Sequence, residues 1–123
     1  MEEIIDIAID FCRAYTAEKK EKHMLDFGDL EHIAYKTLAA TDENGNVVKS
    51  NVAKRYSEYF EEIYIDEYQD TSEIQEAILT LVSRNGTEKK ANTFRVGDVK
   101  QSIYGFRQAR PDIFIDKYTK YGA

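Results

Sequence analysis

Two acids that close an apolar run, Asp66 and Glu67 after Ile63-Tyr64-Ile65, are the residues of this chain best suited to chemistry. A buried strand delivers its last side chains to solvent, and paired acids at such an end can hold a hydrated magnesium ion and orient a water. Asp66 suits the ion, directly or through water, and Glu67 suits the water that attacks a γ-phosphate. Further along, a second β-prone run, Thr93-Phe94-Arg95-Val96, leads into Gly97-Asp98-Val99-Lys100-Gln101-Ser102-Ile103-Tyr104-Gly105-Phe106-Arg107. Gln101 can donate to a phosphate oxygen and accept from water, so it can sense whether a γ-phosphate is present. An Asp-Glu pair alone also serves as a helix cap or a surface turn. The long block Tyr64 to Thr71, joined to a second long block, favours the chemical reading. No G-x-x-x-x-G-K-[ST] loop occurs anywhere in the chain, so a phosphate cradle is missing from it.

The elements that must position these residues are legible in outline. Ile4, Ile5, Ala8, Ile9, Cys12 and Tyr15 recur at helical spacing and predict an amphipathic helix from residue 3 to about residue 22. Asp26 is suited to cap a second helix, with Asp29 complementing its N-terminus and Leu30, Ile33, Ala34, Tyr35 and Leu38 on its apolar face. Thr41 to Asn46 reads as a polar loop, and residues 51–61 as a third helix with Val52, Tyr56, Tyr59 and Phe60 on one side. Ile63-Tyr64-Ile65 lacks polar alternation, as expected of a strand covered on both faces. Ser72-Glu73-Ile74-Gln75 has capping-box form and opens a fourth helix that runs toward Asn85-Gly86. Pro111 suits the first turn of a last helix carrying Ile113, Phe114 and Tyr118. Strand, helix, strand and helix in that order predict a βαβ unit, hence an α/β layered fold with a parallel pair. Both acidic turns then fall at the carboxyl ends of adjacent strands, the edge where such sheets bind ligands.

The 123 residues suit one domain, with apolar and charged fractions ordinary for a globular protein. A single cysteine, Cys12, permits no internal disulfide; with no apolar run near the ~20 residues that span a bilayer, the expected location is the cytoplasm. The acidic start, Met1-Glu2-Glu3, lacks the basic region of a secretory signal. The net charge of −6 is unevenly spread. Residues 1–83 hold 8 Lys or Arg against 19 Asp or Glu, whereas residues 84–110 hold 7 against 2. That basic stretch, with Phe94, Tyr104 and Phe106 interleaved, has the composition of a single-strand binding surface, and equally of a solvated basic face.

Asp66-Glu67-Tyr68-Gln69-Asp70-Thr71 and Gly97-Asp98-Val99-Lys100-Gln101-Ser102-Ile103-Tyr104 resemble motifs II and III of superfamily 1 helicases of the UvrD/Rep type. Within that group the Val99-Lys100 pair before Gln101 is similar to the AddA-type helicase/nuclease subunits of bacterial double-strand-break repair, and Leu25 to Leu30 resembles the segment upstream of motif II. The resemblance spans roughly residues 20–118. It implies a partial RecA-like domain of the P-loop NTPase class, with helices packed on a few parallel strands. Residues 1–123 would be a piece of the first motor domain, with a P-loop before it and a second motor domain and a nuclease domain after it. It implies Asp66 as the magnesium ligand, Glu67 as the catalytic acid and Gln101 as the γ-phosphate sensor. Tyr104 and Phe106 would stack on bases of single-stranded DNA, and Arg107 would couple that contact to the nucleotide. Gly105 stands where the family usually has arginine, and Phe106 also reads as a core aromatic. The implied cofactors are Mg2+ and ATP, and the implied partners are single-stranded DNA, duplex ends and a second, AddB-like subunit. Without a phosphate cradle, the chain on its own is expected to hydrolyse no ATP.

Two other readings use some of the same residues. Asp66 with Asp98-Val99-Lys100 matches the short Asp…Asp-x-Lys pattern of restriction-like nucleases, in which acids hold metal and a lysine polarises water. It leaves Glu67, Gln69-Asp70-Thr71 and Gln101-Ser102-Ile103-Tyr104 without a role. A non-catalytic interaction domain is the other, and the intact Asp66, Glu67 and Gln101 argue against it. Cys12, His23 and His32 are too few and too badly spaced for zinc, and Cys12 reads as a packed helix residue rather than a nucleophile.

Overall fold

Tyr64 lies beside Phe94 in a parallel pair of strands, β3 (Ile63–Ile65) and β4 (Thr93–Arg95), with Ile63 opposite Thr93 and Ile65 opposite Arg95. The computed structural model describes residues 2–85, 87–101 and 109–121. The described residues also form five helices, α1 (Glu2–Glu21), α2 (Phe27–Leu38), α3 (Asn51–Tyr59), α4 (Glu73–Val82) and α5 (Pro111–Tyr121), and a second strand pair, β1 (Ala39–Thr41) with β2 (Val47–Lys49). The chain is thus mixed α/β with small sheets, and it divides into two compact units, residues 1–30 and 31–123.

In the first unit the start of α2 is fixed by a reciprocal cap. Asp26 Oδ1 accepts from the Asp29 N–H at 2.8 Å while Asp29 Oδ2 accepts from the Asp26 N–H at 3.0 Å. Lys19, in the last turn of α1, donates to Asp26 at 2.7 Å and to Asp29 at 2.6 Å. The bond from Lys19, followed by the Asp29 N–H, holds the Asp26 carboxyl down at about 2. An acid held below its ordinary value adds stability above pH ~4 and loses it as pH falls through the folded value. Lys19→Met should therefore flatten the fall in melting temperature between about pH 4 and pH 2. Equal acid limbs in the two proteins would show that the cluster contributes nothing. The apolar residues Ile4, Ile5, Ile7 and Phe11 of α1 are exposed, and Cys12 is exposed rather than packed.

The core of the second unit joins Leu38, Ala53 and Leu81, with Tyr35, Ala39, Ile78 and Val82 packed around them. Burying each leucine contributes roughly 1.5–3 kcal/mol. The positions of α3 that are buried are Ala53 and Ser57, whereas Val52, Tyr56 and Tyr59, expected on the apolar side, are exposed. Small residues on the inner side bring α3 near α4, and Tyr56 and Tyr59 instead pack on Phe60, each with ring centroids 5.6 Å from it. Ser50 caps α3, and it also ends α2: its N–H and hydroxyl donate to the carbonyls of Leu38 and Thr37 at 2.8 and 2.9 Å.

The stretch read as a plain polar loop is a hairpin. Asp42 Oδ1 accepts from the N–H groups of Asn44 and Asn46 at 2.9 and 2.8 Å, and Gly45 takes a φ of +85°, which glycine adopts without strain. The capping box of α4 forms as expected, and the helix stops at Val82 with Ser83 as its C-cap. The parallel strands differ from expectation in one respect. Ile63, Ile65, Thr93 and Arg95 are partly covered, but Tyr64 and Phe94 share an open face, meeting edge-on at 6.1 Å with 71% and 60% of their surface exposed. No helix among the described residues is long and apolar enough to cross a membrane.

Candidate active site

Both acidic turns leave the same edge of the β3–β4 pair, because the strands are parallel and each turn follows its strand directly. The ladder continues past the strands: the Val96 N–H donates to the Ile65 carbonyl at 2.8 Å and the Tyr68 N–H donates to the Val96 carbonyl at 2.9 Å. Asp66 and Glu67 are exposed at this edge. Asp66 Oδ1 accepts from the Glu67 N–H at 2.8 Å. Glu67 sits in the left-handed region, φ 49° and ψ 40°, a conformation that costs a residue with a Cβ roughly 1–2 kcal/mol. The single turn that follows, Tyr68–Asp70, is closed by the Asp70 N–H on the Glu67 carbonyl at 2.9 Å.

Behind the acids the turn is buried. Tyr68 and Gln69 each have 1% of their surface exposed. The Tyr68 hydroxyl donates to Glu76 Oε2 at 2.7 Å, its ring lies 5.1 Å from the Arg95 guanidinium, and Phe114 of α5 packs on it at 5.9 Å. Burial first, and then the Glu76 bond, push the phenol well above its usual value, so Tyr68 stays neutral. Glu76 also pairs with Lys117 at 2.8 Å and Arg95 at 3.7 Å, tying α4, α5 and β4 together. Arg110 fastens the start of α5 to the end of the first block: its N–H donates to the Thr71 carbonyl at 3.1 Å, and its guanidinium reaches Glu73 and Asp112.

Gln69 is the residue whose role the sequence hides. Its Nε2 donates to Glu67 Oε2 at 2.5 Å, and its Oε1 accepts from the Asp98 N–H at 3.0 Å. Asp98 in turn accepts from Gln101 Nε2 at 3.2 Å through Oδ2 and from the Lys100 N–H at 3.0 Å through Oδ1. Glu67, Gln69, Asp98 and Gln101 thus form one hydrogen-bonded line across the two blocks. Gly97 makes the approach possible. A Cβ there would lie 2.5 Å from Gln69 Oε1, 3.1 Å from the Tyr68 nitrogen and 3.2 Å from the Gln69 nitrogen. No sequence signal marked Gln69, whereas a glycine opening the second block was the signal for the close contact.

The structure brings Glu67 and Gln101 into that line, with Asp66 next to Glu67. Tyr104, Gly105, Phe106 and Arg107 lie outside the described residues. Asp98 spends both carboxylate oxygens on its own turn, which fits a loop-shaping role better than the metal ligand a restriction-like nuclease would need. Among the described residues no group of three or more His, Cys, Asp and Glu side chains is placed to hold a metal. One exposed carboxylate at a sheet edge does fit magnesium, which takes most of its ligands from water and substrate phosphates.

The family model of the UvrD/REP helicase N-terminal domain matches residues 2–122, and the chain belongs to that family of helicases. Its likeness is more particular than that. It is 49% identical over 121 residues, 98% of its length, to AddA, the ATP-dependent helicase/nuclease subunit of Clostridium kluyveri. It is 50% identical over 121 residues to the protein so named in Thermoanaerobacter sp. and 50% identical over 115 residues, 94% of its length, to that of Clostridium perfringens. The chain spans about a tenth of the length of these relatives, 10%, 10% and 9%.

Proposed function

We propose that this chain is a segment of the first RecA-like motor domain of an AddA-type ATP-dependent DNA helicase/nuclease, and that its acidic sheet edge hydrolyses ATP within the whole protein. The observation that carries the reading is the convergence of Asp66, Glu67 and Gln101 on one edge of a parallel strand pair, joined through Gln69 and Asp98. The names of the relatives support ATP dependence and helicase action, and the matching family supports the motor class. Asp66 holds magnesium through its carboxylate, directly or through water. Bound there, magnesium would supply positive charge against the phosphates. Glu67 orients and deprotonates the attacking water, and Gln101 reads the γ-phosphate by donating to one of its oxygens. Tyr104 and Phe106 stack on bases of single-stranded DNA, and Arg107 links that contact to the nucleotide. Work on double-strand breaks beside a second, AddB-like subunit completes the proposal.

The test is steady-state ATP hydrolysis by a full-length protein carrying this domain, with magnesium and single-stranded DNA both varied. Turnover should need both. Asp66→Asn should raise the magnesium concentration for half-maximal turnover by ~10-fold or more, since one carboxylate and the phosphates hold the ion. Turnover indifferent to magnesium, or a magnesium requirement left unchanged by Asp66→Asn, overturns the assignment.

A further inference from the structure

We propose that Gln69 is a positioning residue that aligns Glu67 for water attack only while residues 96–98 are seated against it. This deepens the motor reading above and rests on it. The Glu67 carboxylate is exposed, and a glutamate at a sheet edge has several rotamers open to it. What selects one here is the Gln69 amide, buried to 1% exposure and bonded to Glu67 Oε2 at 2.5 Å. That amide is in turn held by the second block, through the Asp98 N–H at 3.0 Å. The task needs one end that donates and one that accepts. An amide has both, whereas a carboxylate only accepts and an ammonium only donates.

The seat is tight. Beside the amide oxygen Gly97 has space for a hydrogen and none for a methyl, since a Cβ there would lie only 2.5 Å away. The Val96 carbonyl takes the Tyr68 N–H at 2.9 Å, so the backbones flanking Gln69 and Asp98 are tied as well. A shift of residues 96–98 therefore carries the amide with it and turns the catalytic carboxylate. Hydrolysis depends on alignment to a fraction of an ångström, so such a shift is enough to switch it. The block that would sense phosphate and DNA thereby gates the acid through one side chain that touches neither.

Two variants of a full-length protein carrying this domain test the proposal, with Glu67→Gln as the control. Gln69→Met keeps the length of the side chain and removes both hydrogen bonds. It should lower kcat for ATP by roughly 10- to 100-fold and leave KM within about 2-fold, as loss of an orienting partner does. Gln69→Glu sets a second carboxylate against Glu67. The introduced carboxylate still accepts from the Asp98 N–H but offers Glu67 no N–H and repels its charge. The kcat of Gln69→Glu should therefore fall at least as far as that of Gln69→Met, again with KM within about 2-fold. Wild-type kcat in Gln69→Met overturns the proposal. So does wild-type kcat in Gln69→Glu, or a KM that rises in step with the loss of kcat, since a merely structural amide would not confine its effect to kcat. Each of these results leaves the base assignment standing if Glu67→Gln is inactive. Turnover that survives Glu67→Gln removes the base itself, and the positioning role with it.

Discussion

Replacing Glu67 by glutamine in a full-length protein carrying this domain should leave ATP binding intact and lower turnover by ~10²-fold or more. The exposed carboxylate stands at the carboxyl edge of a parallel strand pair, where it can take a proton from water without first breaking a buried ion pair. Glutamine keeps the length of the side chain, and its carbonyl oxygen can still accept from Gln69 Nε2, so the loop should hold its shape. The substitution removes only the charge that, in the proposed function, orients and deprotonates the attacking water. Nucleotide affinity measured beside single-turnover hydrolysis separates the two effects. Equal loss of binding and turnover would make Glu67 a ligand rather than a base, and near-normal turnover would move the base elsewhere.

The second large effect is expected at Gly97. A methyl group there meets Gln69 Oε1 at 2.5 Å and two backbone nitrogens at 3.1 and 3.2 Å. Gln69 is buried and hydrogen-bonded at both ends of its amide, so it cannot swing aside at low cost. Gly97→Ala should destabilise this part of the protein by roughly 1–3 kcal/mol, the range for overpacking a well-filled site. It should also depress ATP turnover, because the relief open to the loop is to push the two blocks apart. Adding Gln69→Ala to Gly97→Ala removes the nearest colliding atom, Gln69 Oε1, so the double variant should be less destabilised than the sum of the singles. Denaturant melts of the four proteins make the comparison. Strict additivity would mean that the two residues do not press on each other.

Local chemistry was readable wherever neighbours in sequence decide it. The cap at Asp26, the box at Ser72 and Gln75, the proline that starts α5 and the run Ile63-Tyr64-Ile65 all depend on residues a few positions apart. The order of strand, helix and strand then brought both acidic turns to one edge. What escaped was set by distant partners. Ala39-Ala40 continues a helical sequence, yet α2 ends at Leu38 because Ser50 takes the carbonyls of Thr37 and Leu38. Strands β1 and β2, three residues each, are too short for alternation to mark them. The inner face of α3 is chosen by close approach to α4, which favours Ala53 and Ser57 over the larger Tyr56 and Tyr59. Gln69 was visible as a letter of the first block, but its bond to Asp98 crosses from one block to the other and no spacing rule foretells it.

Glu67 holds a backbone shape that glycine adopts freely and other residues resist. Selection for folding alone would therefore favour glycine at this position, and a screen that rewards only heat tolerance or expression would tend to erase the acid. A carboxylate put to use would be the reason to keep the residue against that pull. A lineage that kept the domain as a scaffold and gave up hydrolysis would be free to relax here first, which makes position 67 the place where disuse would leave its earliest mark.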